Sequence, residues 1–400
     1  MFKKMRVNID CILVTLIFNM NVLRFLMNTY STTASMYLVY LLAIIIMLNK
    51  YKHNIALTLS THRNIKTIYV LHIIILIYAL LTSVFAMSLE IVAILGKFLI
   101  STVIASLCLS MPIHKIKLIL LLNYVINILY GFILFAFPER ADTYLSGDAN
   151  YLNLTLTLGF VLTMSLAELV CGFVLSTKLL RVLLFLPFSV FLFLVLINFN
   201  ARGVLVFPPQ IAVILTILLY KQNKIRSSIF LLVLGGLFAV AFLFFMNNAS
   251  DYVTGRFLRI FEDTEDESRI GIWTKALEHI VDNCWFLIGG GINAFRENYD
   301  YYPHNIFLQY FGEYGLFGLS TMLYCIRIIY KKIKPVLSSH ENQNYDILII
   351  CLSGLLYYFF TFNKSFSIYD ACPLQIIYIL TLSILLQFNK KDGKCNYYNP

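Results

Sequence analysis

The sequence predicts an all-α, polytopic membrane protein with about twelve transmembrane helices and one large outer loop that contains an amphipathic helix. Three observations lead there. Hydrophobic residues make up 60% of the 400 and charged residues 13%, with a mean hydropathy of +0.78, whereas a soluble domain is nearer half apolar. Apolar runs of about 17 to 25 residues, the length that crosses about 30 Å of hydrocarbon, recur along the whole chain. Between them, short segments rich in Lys, Asn, Pro and Asp carry their basic residues in an alternating pattern that fits the positive-inside rule.

The runs lie near residues 9 to 28, 32 to 48, 67 to 86, 89 to 110, 118 to 137, 151 to 176, 182 to 198, 204 to 220, 229 to 246, 303 to 330, 346 to 362 and 371 to 388. They divide the chain into residues 1–246 with nine spans, the outer loop 247–302, and residues 303–400 with three spans and a tail. With Lys3, Lys4 and Arg6 in the cytoplasm, the inner segments become 50–66, 111–117, 177–181, 221–228, 331–345 and 389–400. These hold 20 Lys and Arg together with the N-terminus, against three (Arg140, Arg202, Lys364) in the short outer segments. Both termini are therefore expected inside, and the net charge of +10 is mostly topology. A nucleic-acid partner is not implied, because the basic residues are spread over seven segments and build no single patch.

The start, MFKKMRVNID before an apolar run, resembles a signal peptide, but no small-x-small cleavage site follows, so it is expected to be an uncleaved first span. The eight cysteines form no CxxC motif; Cys284 and Cys372 are those expected on the oxidising side, and their pairing is left open.

The outer segment from Asn247 to Tyr302 holds ten of the 21 acidic residues, together with Arg256, Arg259, Arg269, Lys275 and Arg296. A chain that only has to turn round needs no such length, and long loops in compact architecture are usually functional or disordered. Here IGIWTKALEHIVDNCW places Ile272, Trp273, Ala276, Leu277, Ile280 and Val281 on one helical face and Lys275, Glu278 and Asp282 on the other. Ser268 suits its N-cap and the acids of EDTEDES its positive end. The helix is expected to lie along the membrane surface. Next, IGGGINAF offers either a hinge or a phosphate-cradling loop. In YYPHNIFLQYFGEYG, Pro303 suits a first helical turn, and Asn305, Gln309 and Glu313 fall at i, i+4 and i+8 as one polar stripe. His304 stands beside it at the outer end.

Arg202, in NFNARGV, sits between two apolar runs with no room for a loop, so its guanidinium belongs at the boundary or in a polar cavity. Snorkelling to headgroups is the alternative. Glu139, Asp142, Asp148, Asn150 and Asn153 make up another outer polar stretch. At membrane depth, Arg24, Glu90, Lys97 and Glu168 require partners or water, and structural pairing is the expectation for them.

In this order, N-x-R-G, R-x-x-x-W, G-x-G-x-x-x-F, P-H-N and E-x-G resemble the O-antigen ligase and polymerase superfamily of bacterial envelope glycosyltransferases. The matching residues are Arg202 and Gly203; Arg269 and Trp273; Gly289, Gly291 and Phe295; Pro303, His304 and Asn305; and Glu313, Tyr314 and Gly315. The stretch SGDANYLNLTLTLG is similar to the segment before a mid-chain span of that family, so the resemblance covers about residues 140 to 320. It implies a metal-independent, inverting transfer of an oligosaccharide from undecaprenyl diphosphate to an acceptor sugar hydroxyl, at the periplasmic face of the inner membrane. No cofactor is implied, in keeping with the lack of a DxD or His-rich motif in the outer loop. Partners implied are the lipid-linked oligosaccharide, membrane lipid and other assembly proteins such as a chain-length regulator.

The residue chemistry is compatible with that implication. Arginine meets phosphate oxygens bidentately and stays charged. Arg202 and Arg269 are the expected diphosphate contacts, with Arg256, Arg259 and Arg296 in reserve. His304 is the expected general base or acceptor positioner, because imidazole titrates near neutral pH. Trp273 could stack on sugar or anchor the surface helix. Asn305, Trp273 and Glu313 are assigned to substrate binding, Glu313 through support of the helix or of a neighbouring cation rather than through direct chemistry. Polymerase is preferred over ligase because the HN stretch runs into E-x-G and the other outer segments are short. A flippase-type transporter is the rival class, but no internal repeat is evident and the polar residues cluster in one outer loop.

Overall fold

The computed structural model describes residues 8–27, 34–86, 89–137, 139, 151–171, 174, 177–197, 202–219, 235–236, 243, 269–338 and 345–391. Among the described residues the regular structure is helical, without strands. In chain order the helices are α1 (Ile9–Phe18), α2 (Met20–Leu26), α3 (Ala34–Thr61), α4 (Arg63–Ala86), α5 (Leu89–Leu107), α6 (Ile113–Ala136), α7 (Tyr151–Cys171) and α8 (Lys178–Ile197). They continue with α9 (Arg202–Leu219), α10 (Arg269–Asp282), α11 (Trp285–Ile288), α12 (Ala294–Tyr299), α13 (Ile306–Ser338), α14 (Tyr345–Phe362) and α15 (Cys372–Lys391). Short 3-10 turns add Cys108–Ser110 and Ile368–Asp370.

Among the described residues, six helices are long and apolar enough to cross a membrane: Arg63–Thr82, Ile91–Ser110, Ile113–Ala136, Leu154–Cys171, Leu179–Ile197 and Tyr345–Phe362. Each coincides with one of the runs read from the sequence, and together they make this a multi-pass membrane protein. The first run folds as a broken pair, α1 and α2, bent by 77°. The run at 204 to 220 and the last run form shorter apolar helices, Val204–Ile217 and Cys372–Phe388, while most of residues 229–246 lies outside the described residues. One expectation changes at residues 50–66. Most of that inner segment is helical, in the ends of α3 and α4, because its Lys, Asn and His alternate with Leu, Ile and Ala and leave no Gly or Pro to stop the helix.

The chain forms two compact units, residues 1–39, 117–264 and 344–361, and residues 40–116, 265–343 and 362–400. In the first, α7 is the central helix, with Leu154, Leu156, Leu158, Phe160, Leu162 and Leu166 all buried. Gly159 and Gly354 permit the closest approaches: a Cβ at Gly159 would lie 2.2 Å from the Tyr357 hydroxyl oxygen, and one at Gly354 2.3 Å from the Phe160 ring. Tyr357 uses that approach to donate from its hydroxyl to the Leu156 carbonyl at 2.8 Å. Rings of Phe18, Phe160 and Tyr358 meet with centroids 5.0 to 5.5 Å apart. At the α1–α2 bend Asn19 is buried, donating from Nδ2 to the Thr15 carbonyl at 2.8 Å and to Asn123 Oδ1 at 2.5 Å. Asn127 Nδ2 donates back to Asn19 Oδ1 at 2.6 Å, so side-chain amides tie the bend to α6. In this unit Glu168 is buried and accepts from the Val174 amide at 2.9 Å.

In the second unit, α15 packs along α5, and α13 packs on α4, α10, α11 and α12. Lys97 Nζ lies 3.9 Å from Asp370 Oδ1, which supplies the partner its depth requires; with both side chains substantially exposed, the pair contributes little to stability. Cys284 is exposed, and both Cys284 and Cys372 are free thiols.

Candidate functional site

Residues 269–302 fold onto the start of α13 around their own small core. The amphipathic pattern puts α10 at Arg269–Asp282, close to its expected position, while the proposed N-cap Ser268 lies outside the described residues. Ala276, Ile280 and Phe295 form the buried centre, with Trp285, Phe286, Tyr301, Leu308 and Phe311 packed against it. Gly312 makes room for this core, since a Cβ there would meet the Phe295 ring at 2.3 Å. The apolar face of α10 is wider than what the protein covers: Leu277 is 45% and Val281 61% exposed.

The glycines of IGGGINAF serve a different purpose from either expectation. Gly315, at φ 62 and ψ −157, breaks α13, and the carbonyls just before the break are captured from outside the helix. Gly290 donates its amide to the Gly312 carbonyl at 2.7 Å and Gly291 to the Glu313 carbonyl at 3.1 Å. The Gly289 carbonyl in turn accepts from the Tyr78 hydroxyl at 3.2 Å. The segment is thus a docked backbone, with these two amides committed to protein rather than to phosphate. Gly289 is required twice over: its φ is 97, and a Cβ would lie 2.3 Å from the Glu313 carbonyl oxygen.

At the other end of the short half of α13, three consecutive residues are fixed by three different means. The Pro303 carbonyl accepts from the Trp273 indole N–H at 3.1 Å. His304 adopts a left-handed backbone, φ 50, as do Cys284, Asn293 and Asp300 earlier in the same segment. Asn305 caps the helix, its Oδ1 accepting from the amides of Phe307 at 2.9 Å and Leu308 at 3.1 Å. The stripe of Asn305, Gln309 and Glu313 turns inward: Gln309 and Glu313 are wholly buried. Gln309 Nε2 donates to Glu313 Oε1 at 3.0 Å and to Ser367 Oγ at 3.0 Å, its Oε1 accepts from the Ile368 amide at 2.9 Å, and the Tyr369 hydroxyl donates to Glu313 Oε2. Both Glu313 carboxylate oxygens thus accept from protein donors, Gln309 and Tyr369.

Arg296 is exposed, its guanidinium 5.6 Å from the centre of the Tyr302 ring with Nη1 3.5 Å from the Tyr302 hydroxyl. Tyr302 donates to Asn293 Oδ1 at 2.7 Å. Burial pushes the Tyr302 phenol up to about 12, with Arg296 pulling the other way, so it remains a neutral donor at ordinary pH. Arg269 begins α10, one turn before Trp273, and Arg202 begins α9 in the first unit; the side chains of both, and the whole of Arg256 and Arg259, lie outside the described residues.

Sequence reasoning found the polar stripe and the helix carrying Trp273, but it put Pro303 in the first helical turn, whereas the helix starts at Ile306 with Asn305 as its cap and a left-handed residue, His304, before it. It missed Ser367 and Tyr369, which stand in a short outer segment where only Lys364 had been noted. A serine and a tyrosine between two apolar runs carry no periodic signal, and their partners lie more than fifty positions away.

Residues 187–323 match the family model described as O-Antigen ligase. The matched segment runs from within α8 to beyond the Gly315 break, so it contains Arg202, the outer segment, His304 and Glu313. No curated protein matches the chain. Over residues 187–323 the chain is therefore similar to the O-antigen ligase and polymerase superfamily, a likeness that does not separate polymerase from ligase.

Proposed function

We propose that the protein is an O-antigen polymerase. It transfers lipid-linked repeat units from undecaprenyl diphosphate to a sugar hydroxyl of an acceptor repeat unit, with inversion and without a metal, at the periplasmic face of the inner membrane. His304 takes the proton from the attacking hydroxyl as the new glycosidic bond forms, and the diphosphate leaves with the electrons of the broken bond. Arg269 and Arg202 stabilise the charge that gathers on the departing phosphate oxygens. Arg296, Arg256 and Arg259 supply further cationic contacts along the lipid diphosphate.

The observation that carries this reading is the fixed left-handed turn at His304, held by Trp273 on one side and the Asn305 cap on the other. Arg269 lies one helical turn from Trp273, which supports placing a cation near that imidazole. The continuation of the HN stretch into E-x-G supports polymerase over ligase.

A strain lacking the gene tests the reading through its lipopolysaccharide gel profile. Core carrying a single repeat is the polymerase outcome. Uncapped core with accumulating long lipid-linked polymer would indicate the ligase, and normal long chains would exclude both.

A further inference from the structure

Residues 306–314 form the short half of α13, and the Gly315 joint separates them from the long apolar half. How the short half is rotated about its own axis is therefore set by what grips it. Trp273 holds the approach to it through Pro303, and the glycine segment holds its last carbonyls. The third grip is the outer strap at residues 366–371, between α14 and α15. From the strap, the Ile368 amide and Ser367 Oγ bond the two ends of the Gln309 amide at 2.9 and 3.0 Å, and the Tyr369 hydroxyl donates to Glu313. That hydroxyl also lies 3.2 Å from the Tyr314 hydroxyl and accepts the Asn293 amide at 3.3 Å, while the ring meets Phe98 edge-on at 5.7 Å.

Apolar side chains of similar volume would hold the same elements together, often with no loss of stability. Apolar contact, however, is non-directional, whereas hydrogen bonds fix orientation. Orientation matters at this position because His304 precedes the cap of the helix that the strap grips. Side-chain tips lie about 5–6 Å from a helix axis, so a rotation of about 20° carries them about 2 Å. A misplacement of about 1 Å can cost about 10²-fold in rate.

We propose that Tyr369, with Gln309 and Ser367, is a positioning residue for the transfer reaction: acting on Glu313, it fixes the rotation of residues 306–314 and thereby the direction in which the His304 imidazole leaves its turn. This rests on the reading of His304 as the base.

The test uses the full chain in lipid nanodiscs with undecaprenyl-diphosphate-linked repeat units as donor. Tyr369→Phe keeps the ring and removes the hydroxyl; it lowers kcat about tenfold and leaves KM for the donor within about twofold. Adding Glu313→Gln removes the carboxylate whose Oε2 has lost its donor, so the thermal midpoint returns towards wild type while kcat stays low. A Tyr369→Phe protein with kcat within about twofold of wild type overturns the proposal, as does a double variant whose kcat recovers together with its midpoint. Wild-type protein that transfers no glycan overturns the proposed function and this inference with it; an active wild type beside a fully active Tyr369→Phe overturns the inference alone.

Discussion

Each of the two units buries a polar cluster beside a broken helix, and the two clusters differ in chemistry. At the α1–α2 bend three amides, Asn19, Asn123 and Asn127, bond to one another and each to a backbone carbonyl, of Thr15, Ile119 and Asn123. Beside the Gly315 break a carboxylate, an amide and two hydroxyls, from Glu313, Gln309, Ser367 and Tyr369, tie a helix to a loop far along the chain. The amide cluster is neutral and lies between apolar helices, where it ties the bend to α6. The acidic cluster connects segments expected on the outer side, and one of them leads directly into His304. A carboxylate costs more to bury than an amide, and the Gly315 break does not need it, since the Gly290 and Gly291 amides already bond the carbonyls there. Under the proposed function the amide cluster serves the fold, whereas the acidic cluster also serves the site.

The comparison can be broken at four places. Gly289→Val in the second unit has the largest expected effect. With φ 97 and backbone 2.3 Å from the new Cβ, it forces the docked glycine segment off α13 and costs about 3 kcal/mol or more, seen as a large fall in thermal midpoint with loss of transfer. Asn123→Leu in the first unit strands part of the amide cluster and costs about 2 kcal/mol, yet transfer per folded molecule stays at wild-type level. If that variant lost activity while keeping its midpoint, the division between the clusters would be wrong. Trp273→Phe keeps an aromatic ring and removes the N–H that holds Pro303, costing about 1 kcal/mol and lowering kcat several-fold. Asn305→Ala removes the cap, costs about 1 kcal/mol, and Asn305→Ser recovers most of that loss in a thermal-shift series.

The two clusters also differ in how far they could be read in advance. Membrane spans are legible because hydrocarbon demands long apolar helices, and six helices of spanning length fall where hydropathy put them. The bend at Asn19 is not, since a hydropathy window averages one asparagine away. Helical spacing revealed the stripe of Asn305, Gln309 and Glu313, but spacing alone does not say whether a stripe faces solvent or protein. Its inward direction depends on Ser367 and Tyr369, whose contacts are set by how distant segments fold together. The glycines after Ile288 announced an unusual backbone; that it would dock on the carbonyls beside Gly315 required the break in α13 to be seen. Arg202, Arg269 and His304 were legible only as an ordered pattern, because no short motif among them has chemistry specific enough to stand alone.

The central claim is that His304 is the base of a glycan transfer from a lipid diphosphate. It is tested most directly with purified protein, undecaprenyl-diphosphate-linked repeat units and a gel readout of chain growth, comparing wild type with His304→Ala. The wild type is expected to build a ladder of lengthening chains. His304→Ala is expected to slow that growth by about 10² to 10⁴-fold, the range a positioned general base supplies, with its thermal midpoint near that of wild type. A His304→Ala protein that extends chains at the wild-type rate would contradict the claim.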